Sequence, residues 1–188
     1  MAISINEITS GIGLNFDGNI WVVLEYQHVK PGKGSAFVRV RMKNLKTEQV
    51  LERTFRSSES LEDVELEERK LQNLYTAGDT VHFMDHTSYE EVAVPKEMIG
   101  DGIRFLQENL EVTALCHKDK VLKVLLPNFI ITQIKETEPG IKGDSSKSSG
   151  KHATIDTGAN ILVPLFINQD DWIKLDTRTG TYVERVQK

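Results

Sequence analysis

The sequence predicts a mainly β protein of three small barrels in tandem, over residues 1–64, 65–126 and 127–188. Three observations predict it. Short runs rich in valine, isoleucine and aromatics recur along the chain, cut by Gly, Pro, Asn and Asp turns. Only one segment, near 96–108, carries helical spacing. The repeating scale of about 60 residues suits barrels with a radius of gyration of roughly 10 Å.

The first unit begins with turns and two strong strand runs. "NIWVVLEYQHV" (19–29) is rich in valine and aromatics, and "AFVRVRMK" (36–43) alternates. Ala36, Val38, Val40 and Met42 are expected on one face, and Phe37, Arg39, Arg41 and Lys43 on the other. Between the runs, Pro31-Gly32-Lys33-Gly34 signals a hairpin: proline fixes its own φ, and both glycines are free to take positive φ. "FDGN" (16–19) and "LKTEQ" (45–49) supply further turns, giving five or six strands that end near Ser60.

The middle unit opens on "SLEDVELEERK" (60–70), helical by propensity but assigned here to a linker and a first strand. "TVHFMD" (80–85) and "EEVAVP" (90–95) follow. A helix is expected over 96–108, with Met98, Ile99, Ile103, Phe105 and Leu106 on one face. "LEVTALCHK" and "KVLKVLLP" close the unit. Three strands, a helix and two strands is the layout of a five-stranded OB barrel. In the last unit "NFIITQIKETEP", "HATIDT", "ANILVPLFI", "DWIKLDT" and "GTYVERV" repeat the scale, with a polar loop, "GIKGDSSKSSGK", at 140–151. A second OB-like barrel is expected.

Composition narrows the function. The apolar run "ILVPLFI" (161–167) is too short for a membrane span and holds a proline. The N-terminus lacks the basic start and apolar core of an export signal, and Cys116 is the single cysteine, so a cytoplasmic, reducing setting is expected. The net charge is −5, and all of it lies in residues 64–126, which carry seven Lys/Arg against twelve Asp/Glu. Each flanking third is balanced, eight against eight. An acidic total does not exclude RNA binding, because counterion release depends on the local basic footprint.

No catalytic constellation emerges. Cys116 has no neighbouring motif, and His117 falls on the opposite face of its strand. His82 and His86, four apart on an extended strand, stand roughly 13 Å from each other, too far to share one ion. "GIG" (11–13) lacks the third glycine of a dinucleotide loop. "SSGKH" (148–152) has Ser145 where a phosphate loop needs its first glycine, and His152 where that loop needs Ser or Thr. Neither cofactor nor metal is expected.

The local footprint is at residues 28–46, "HVKPGKGSAFVRVRMKNLK", which holds Lys30, Lys33, Arg39, Arg41, Lys43 and Lys46 and no acid. Taken alone, a hairpin lysine is solvated and a basic strand face discourages edge pairing. The longer context says more. "YQHVKPGKGSAFVRVRMKNL" with "ERTFRSSE", then "LYTAGDTVHFMD", "YEEVAVP", "GDGIRFLQENLEV", "KHATIDTGANILVPLFI" and "WIKLDTRTGTY" resemble bacterial elongation factor P in order along the whole chain.

That resemblance implies an SH3-like, KOW-type first domain and two OB domains in a bent, tRNA-like outline. It implies a monomer that is not an enzyme and binds no membrane. Its partners would be both ribosomal subunits, between the peptidyl and exit sites, together with peptidyl-tRNA. Its task would be rescue of ribosomes stalled on consecutive prolines. Lys33 would be the tip residue, open to covalent modification by a lysine-modifying enzyme. Lys30, Pro31, Gly32, Gly34, Arg39, Arg41 and Lys43 would support it against RNA. Gly143 and Asp144 would lie near the exit-site codon, and Arg178 and Tyr182 are further RNA-contact candidates. Ser35 and Ser145 depart from the residues usual there. The initiation factor of archaea and eukaryotes is the related counterpart and lacks a third domain. Two alternatives stand beside this reading: an elongation factor P-like paralogue, and a tandem-barrel scaffold that binds an acidic protein partner.

Overall fold

The structure, a computed structural model, describes residues 2–32, 34–138 and 150–187. It is mainly β, with sixteen strands in three sheets among those residues.

The first sheet holds β1 (Ala2–Ile3), β2 (Gly13–Phe16), β3 (Asn19–Val29), β4 (Phe37–Asn44), β5 (Val50–Arg56) and β6 (Leu61–Val64). Their order across the sheet is β1-β6-β2-β3-β4-β5. Asp17 and Gly18, at φ 53° and 71°, form the two-residue connection from β2 to β3, the geometry that follows the right-handed strand twist. Asn44 closes the β4–β5 turn: its buried side-chain oxygen accepts from the backbone N–H groups of Lys46 and Thr47 at 2.8 and 2.9 Å. The alternation expected in β4 is present. Val38, Val40 and Met42 are fully buried with Phe55, Leu14 and Ile8, each such side chain contributing about 1.5–3 kcal/mol, while Arg39 and Arg41 are exposed.

Within the segment 60–70 the expected linker is itself a strand, while Glu67 onward begins the expected first strand of the middle sheet. Leu61–Val64 is a strand of the first sheet, paired with β1 and β2, so that sheet runs past Ser60. Leu61 and Val64 are buried, and burial decides the matter over helical propensity.

The middle sheet holds β7 (Glu67–Ala77), β8 (Thr80–Asp85), β9 (Glu91–Pro95), β10 (Glu111–His117) and β11 (Lys120–Leu125), ordered β11-β10-β7-β8-β9. The helix expected over 96–108 is corrected to two 3₁₀ turns, Lys96–Met98 and Gly100–Phe105. Gly100 has φ +65° and breaks the right-handed path, so the segment closes with i→i−3 bonds from Ile99 to Lys96 and from Leu106 to Ile103.

The third sheet holds β12 (Phe129–Thr137), β13 (Lys151–Ile155), β14 (Asn160–Val163), β15 (Trp172–Asp176) and β16 (Thr181–Val186), ordered β14-β13-β12-β15-β16. Its outer strands β14 and β16 pack against each other, so the sheet curls round its own core. That core takes Ile130, Ile134, Ile155, Ile173 and Leu175 from the strands and Phe105 from the second 3₁₀ turn. The chain forms two compact units, residues 1–69 with 114–123, and residues 70–113 with 124–188.

Candidate nucleic-acid interface

The basic stretch folds as the β3–β4 ribbon and its turn. Lys30, Pro31, Gly32 and Gly34 are all exposed there. Lys33 itself lies outside the described residues, as do Gly143 and Asp144. The two glycines differ. Gly34 takes φ +112°, whereas Gly32 stays out of the left-handed region, so only Gly34 needs to be glycine for its backbone.

Register sets the electrostatics. A bulge at Leu24 shifts the β3–β4 pairing between Val23 and Glu25 and places Glu25 opposite Arg41, with Glu52 opposite Arg41 on the other side. Arg41 then lies 3.6 Å from Glu25, Arg39 3.6 Å from Glu52, and Lys43 3.4 Å from Glu48. These cations therefore rest on carboxylates supplied by both neighbouring strands and the β4–β5 turn. All three pairs are well exposed, so each contributes at most about 1 kcal/mol and can be exchanged for another anion. Lys30 makes no ion pair among the described residues.

One cation of this face was missed by the sequence reading. Arg56 pairs with Phe37 in the β4–β5 register, and alternation puts it on the outward face with Thr54 and Glu52, beside Arg39. The alternation in "VLERTFR" carries the signal, since Phe55 must point inward. Tyr26 and His28 occupy the other face of the ribbon, ring edge to ring face at 5.2 Å.

The C-terminal candidates are held by their own module. The Arg178 guanidinium donates to both oxygens of Asp176, at 3.0 and 2.6 Å, and its backbone N–H donates to the same acid at 2.9 Å. That hydrogen bonding holds the Asp176 carboxyl down at about 2. Arg178 also lies 5.7 Å, and Lys174 5.1 Å, from the ring centre of the exposed Phe129. Tyr182 packs half-buried against the third core.

The groups that tempt as catalysts are engaged separately. Cys116 is buried, and His117 Nδ1 lies 2.8 Å from the Glu65 carbonyl. His82 meets Glu91 at 2.6 Å, while His86 faces Glu111 at 3.6 Å. Among the described residues no group of three such side chains could hold a metal, and no helix is long and apolar enough to cross a membrane.

The fold is thus a small β module carrying a basic hairpin, followed by two five-stranded sheets. Comparison with known proteins gives its family. Residues 4–61 match the elongation factor P KOW-like domain, 66–124 its OB domain, and 130–185 its C-terminal domain. Elongation factor P of Natranaerobius thermophilus is 44% identical over 98% of both chains. That of Gloeothece citriformis is 45% identical over 97% of this chain and 99% of its own. The chain belongs to the elongation factor P family of translation factors.

Among solved structures, the protein titled eukaryotic translation initiation factor 5A from Methanococcus jannaschii superposes with a TM-score of 0.50 at 25% identity. It covers 68% of this chain and 92% of its own, so part of this chain has no counterpart in it.

Proposed function

We propose that the protein binds the ribosome between the peptidyl and exit sites and speeds peptide-bond formation on runs of proline by positioning peptidyl-tRNA. The observation that carries this reading is the exposure of Lys30, Pro31, Gly32 and Gly34 at the end of the β3–β4 ribbon, whose outer face bears Arg39 and Arg41, with Arg56 beside them on β5. Lys33 presents a flexible point charge at the tip, and the arginines hold nearby phosphates. Holding the reacting end in an attack-ready pose lowers the barrier without touching the bond, and each tenfold gain needs only about 1.4 kcal/mol. Covalent enlargement of Lys33 by a lysine-modifying enzyme extends the same reach. Gly143-Asp144 serves the exit-site codon, where a carboxylate accepts from exocyclic amines. Residues 1–64, 65–126 and 127–188 act as three modules of a monomeric, cytoplasmic factor.

The test is Lys33→Ala, measured on a reporter with three successive prolines alongside thermal melting and co-sedimentation with ribosomes. Loss of rescue with an unchanged melting temperature is expected. Full rescue by a stably folded Lys33→Ala chain would overturn the tip mechanism. Asp144→Ala is expected to lose less rescue than Lys33→Ala, because it tunes recruitment and does not act on the reacting end.

A further inference from the structure

The outward face of β3, β4 and β5 changes character along its length. Val29, Phe37 and Arg56 stand side by side in the row nearest the tip, and Gln27 and Arg39 in the next. Glu25 and Glu52 enter only in the third row, on either side of Arg41. Residues directly opposite in an antiparallel sheet share a face, so the acids gather away from the tip and leave its end positive.

Arg56 is exposed, and its guanidinium has no acidic partner among the described residues. Glu59, the nearest acid in sequence, is engaged elsewhere: it accepts from the Arg56 backbone N–H at 3.0 Å and from Arg53 at 3.5 Å. Arg39, diagonal to Arg56 at roughly 7–8 Å, shares its charge with Glu52 at 3.6 Å. Alternation with the fully buried Val38 turns Phe37 away from the first core, yet its ring is only half-buried. Phe37 has no aromatic or cationic partner among the described residues. Val29, also half-buried, extends the apolar surface beside it, and the exposed Gln27 brings an amide that both donates and accepts.

A ring with an apolar shoulder, an amide and an uncommitted guanidinium match an unpaired nucleotide, which has a flat base for the ring and a phosphate for the cation. A duplex offers the phosphate but hides its base faces. An acidic peptide offers the charge without a flat ring.

We propose that the tip end of this face is a binding site for an unpaired nucleotide of RNA, its base on Phe37 and its phosphate on Arg56. Gln27 bonds the base edge, and Arg39 turns from Glu52 to share the phosphate. The site deepens the ribosomal reading and rests on it for the source of the RNA: single-stranded RNA is what the ribbon end takes.

The experiment titrates the full chain, with carbon-13 in its phenylalanine rings, with a short single-stranded RNA and separately with the same strand annealed to its complement. The Phe37 signal is identified by its loss in Phe37→Leu, a substitution on the outward face, and thermal melting checks that each variant folds. The single strand is expected to shift the Phe37 signal saturably, and the duplex to leave it in place. Phe37→Leu is expected to weaken single-strand binding about five- to tenfold with an unchanged salt dependence, since one base stack is lost. Arg56→Gln is expected to flatten the slope of log affinity against log salt by about 0.7, one phosphate contact, and Arg56→Lys to restore that slope. The proposal is overturned by an unmoved Phe37 signal, by an equal response to the duplex, by unchanged single-strand affinity in Phe37→Leu, or by an unchanged salt slope in Arg56→Gln. It is also overturned if a glutamate-rich peptide binds more tightly than the RNA at the same salt, since the face would then recognise charge alone. Co-sedimentation separates the two readings: a chain that meets every RNA expectation but fails to bind ribosomes refutes the ribosomal reading and supports the site.

Discussion

The ammonium of Lys123, almost fully buried, lies 2.6 Å from Glu48 Oε1, and Lys43 reaches the other oxygen of the same acid at 3.4 Å. Glu48 holds this position at φ +62°, in the turn that Asn44 closes. One acid thus neutralises a buried cation and a cation of the basic ribbon, both within the first compact unit.

Glu48→Gln is expected to destabilise the chain by about 1–2 kcal/mol, because it leaves the Lys123 charge buried without its anion; the exposure of Glu48 moderates the loss. The hydrogen bond from Lys123 lowers the Glu48 pKa below its ordinary 4.5. Its stabilisation is therefore complete above that value and lost as pH falls through the lowered one. Urea unfolding at neutral pH and near pH 3.5 should show the parent and Glu48→Gln converging on acidification.

Gly34→Val should strain the tip by about 1–3 kcal/mol, since a β-branched residue resists φ +112°. Space is not the obstacle: a Cβ there would meet only Pro31 Cγ, at an ordinary 3.9 Å. Proline-reporter rescue should fall at least as much as stability does, and normal rescue would refute the need for this turn.

Phe105→Ala should cost about 3–5 kcal/mol, because the ring fills the core of the third sheet and leaves a cavity there. Gly180 lies against the ring: a Cβ there would meet Phe105 Cζ at 3.1 Å. Chemical denaturation gives the number, and the near-ultraviolet spectrum reports any loss of packing.

Arg178→Gln should let the Asp176 carboxyl rise from about 2 towards its ordinary 3.8, since hydrogen bonding from Arg178 is the largest cause of the depression. The pair's stabilisation is present above 3.8 and lost as pH falls towards 2. Carboxyl carbon shifts followed by NMR during acid titration measure the rise directly.

Much of the fold was legible because burial and alternation coincide. Strands at 19–29 and 80–85 are rich in β-branched and aromatic residues, and they form over those residues. The helix at 96–108 was misread because the apolar spacing of Ile99, Ile103 and Phe105 also serves 3₁₀ turns, and Gly100 decides between them. The 61–64 strand was obscured by its acidic neighbours, which favour helix locally but face water in the sheet. The basic footprint was readable as composition; its carboxylate partners were not, because Glu25 meets Arg41 only through the Leu24 bulge.

The carboxylates beside Arg39, Arg41 and Lys43 also bear on residence time. An arginine that already rests on glutamate gains only the difference when it turns to a phosphate, so each such contact adds little to the depth of a bound state. Departure then depends on a shallow well with many small steps out of it, each with a glutamate waiting to take the cation back. Under the function proposed above, a factor acting on one bond at a time would gain speed of release from this arrangement. Replacing Glu25 and Glu52 with glutamine would lengthen its stay and slow the next cycle.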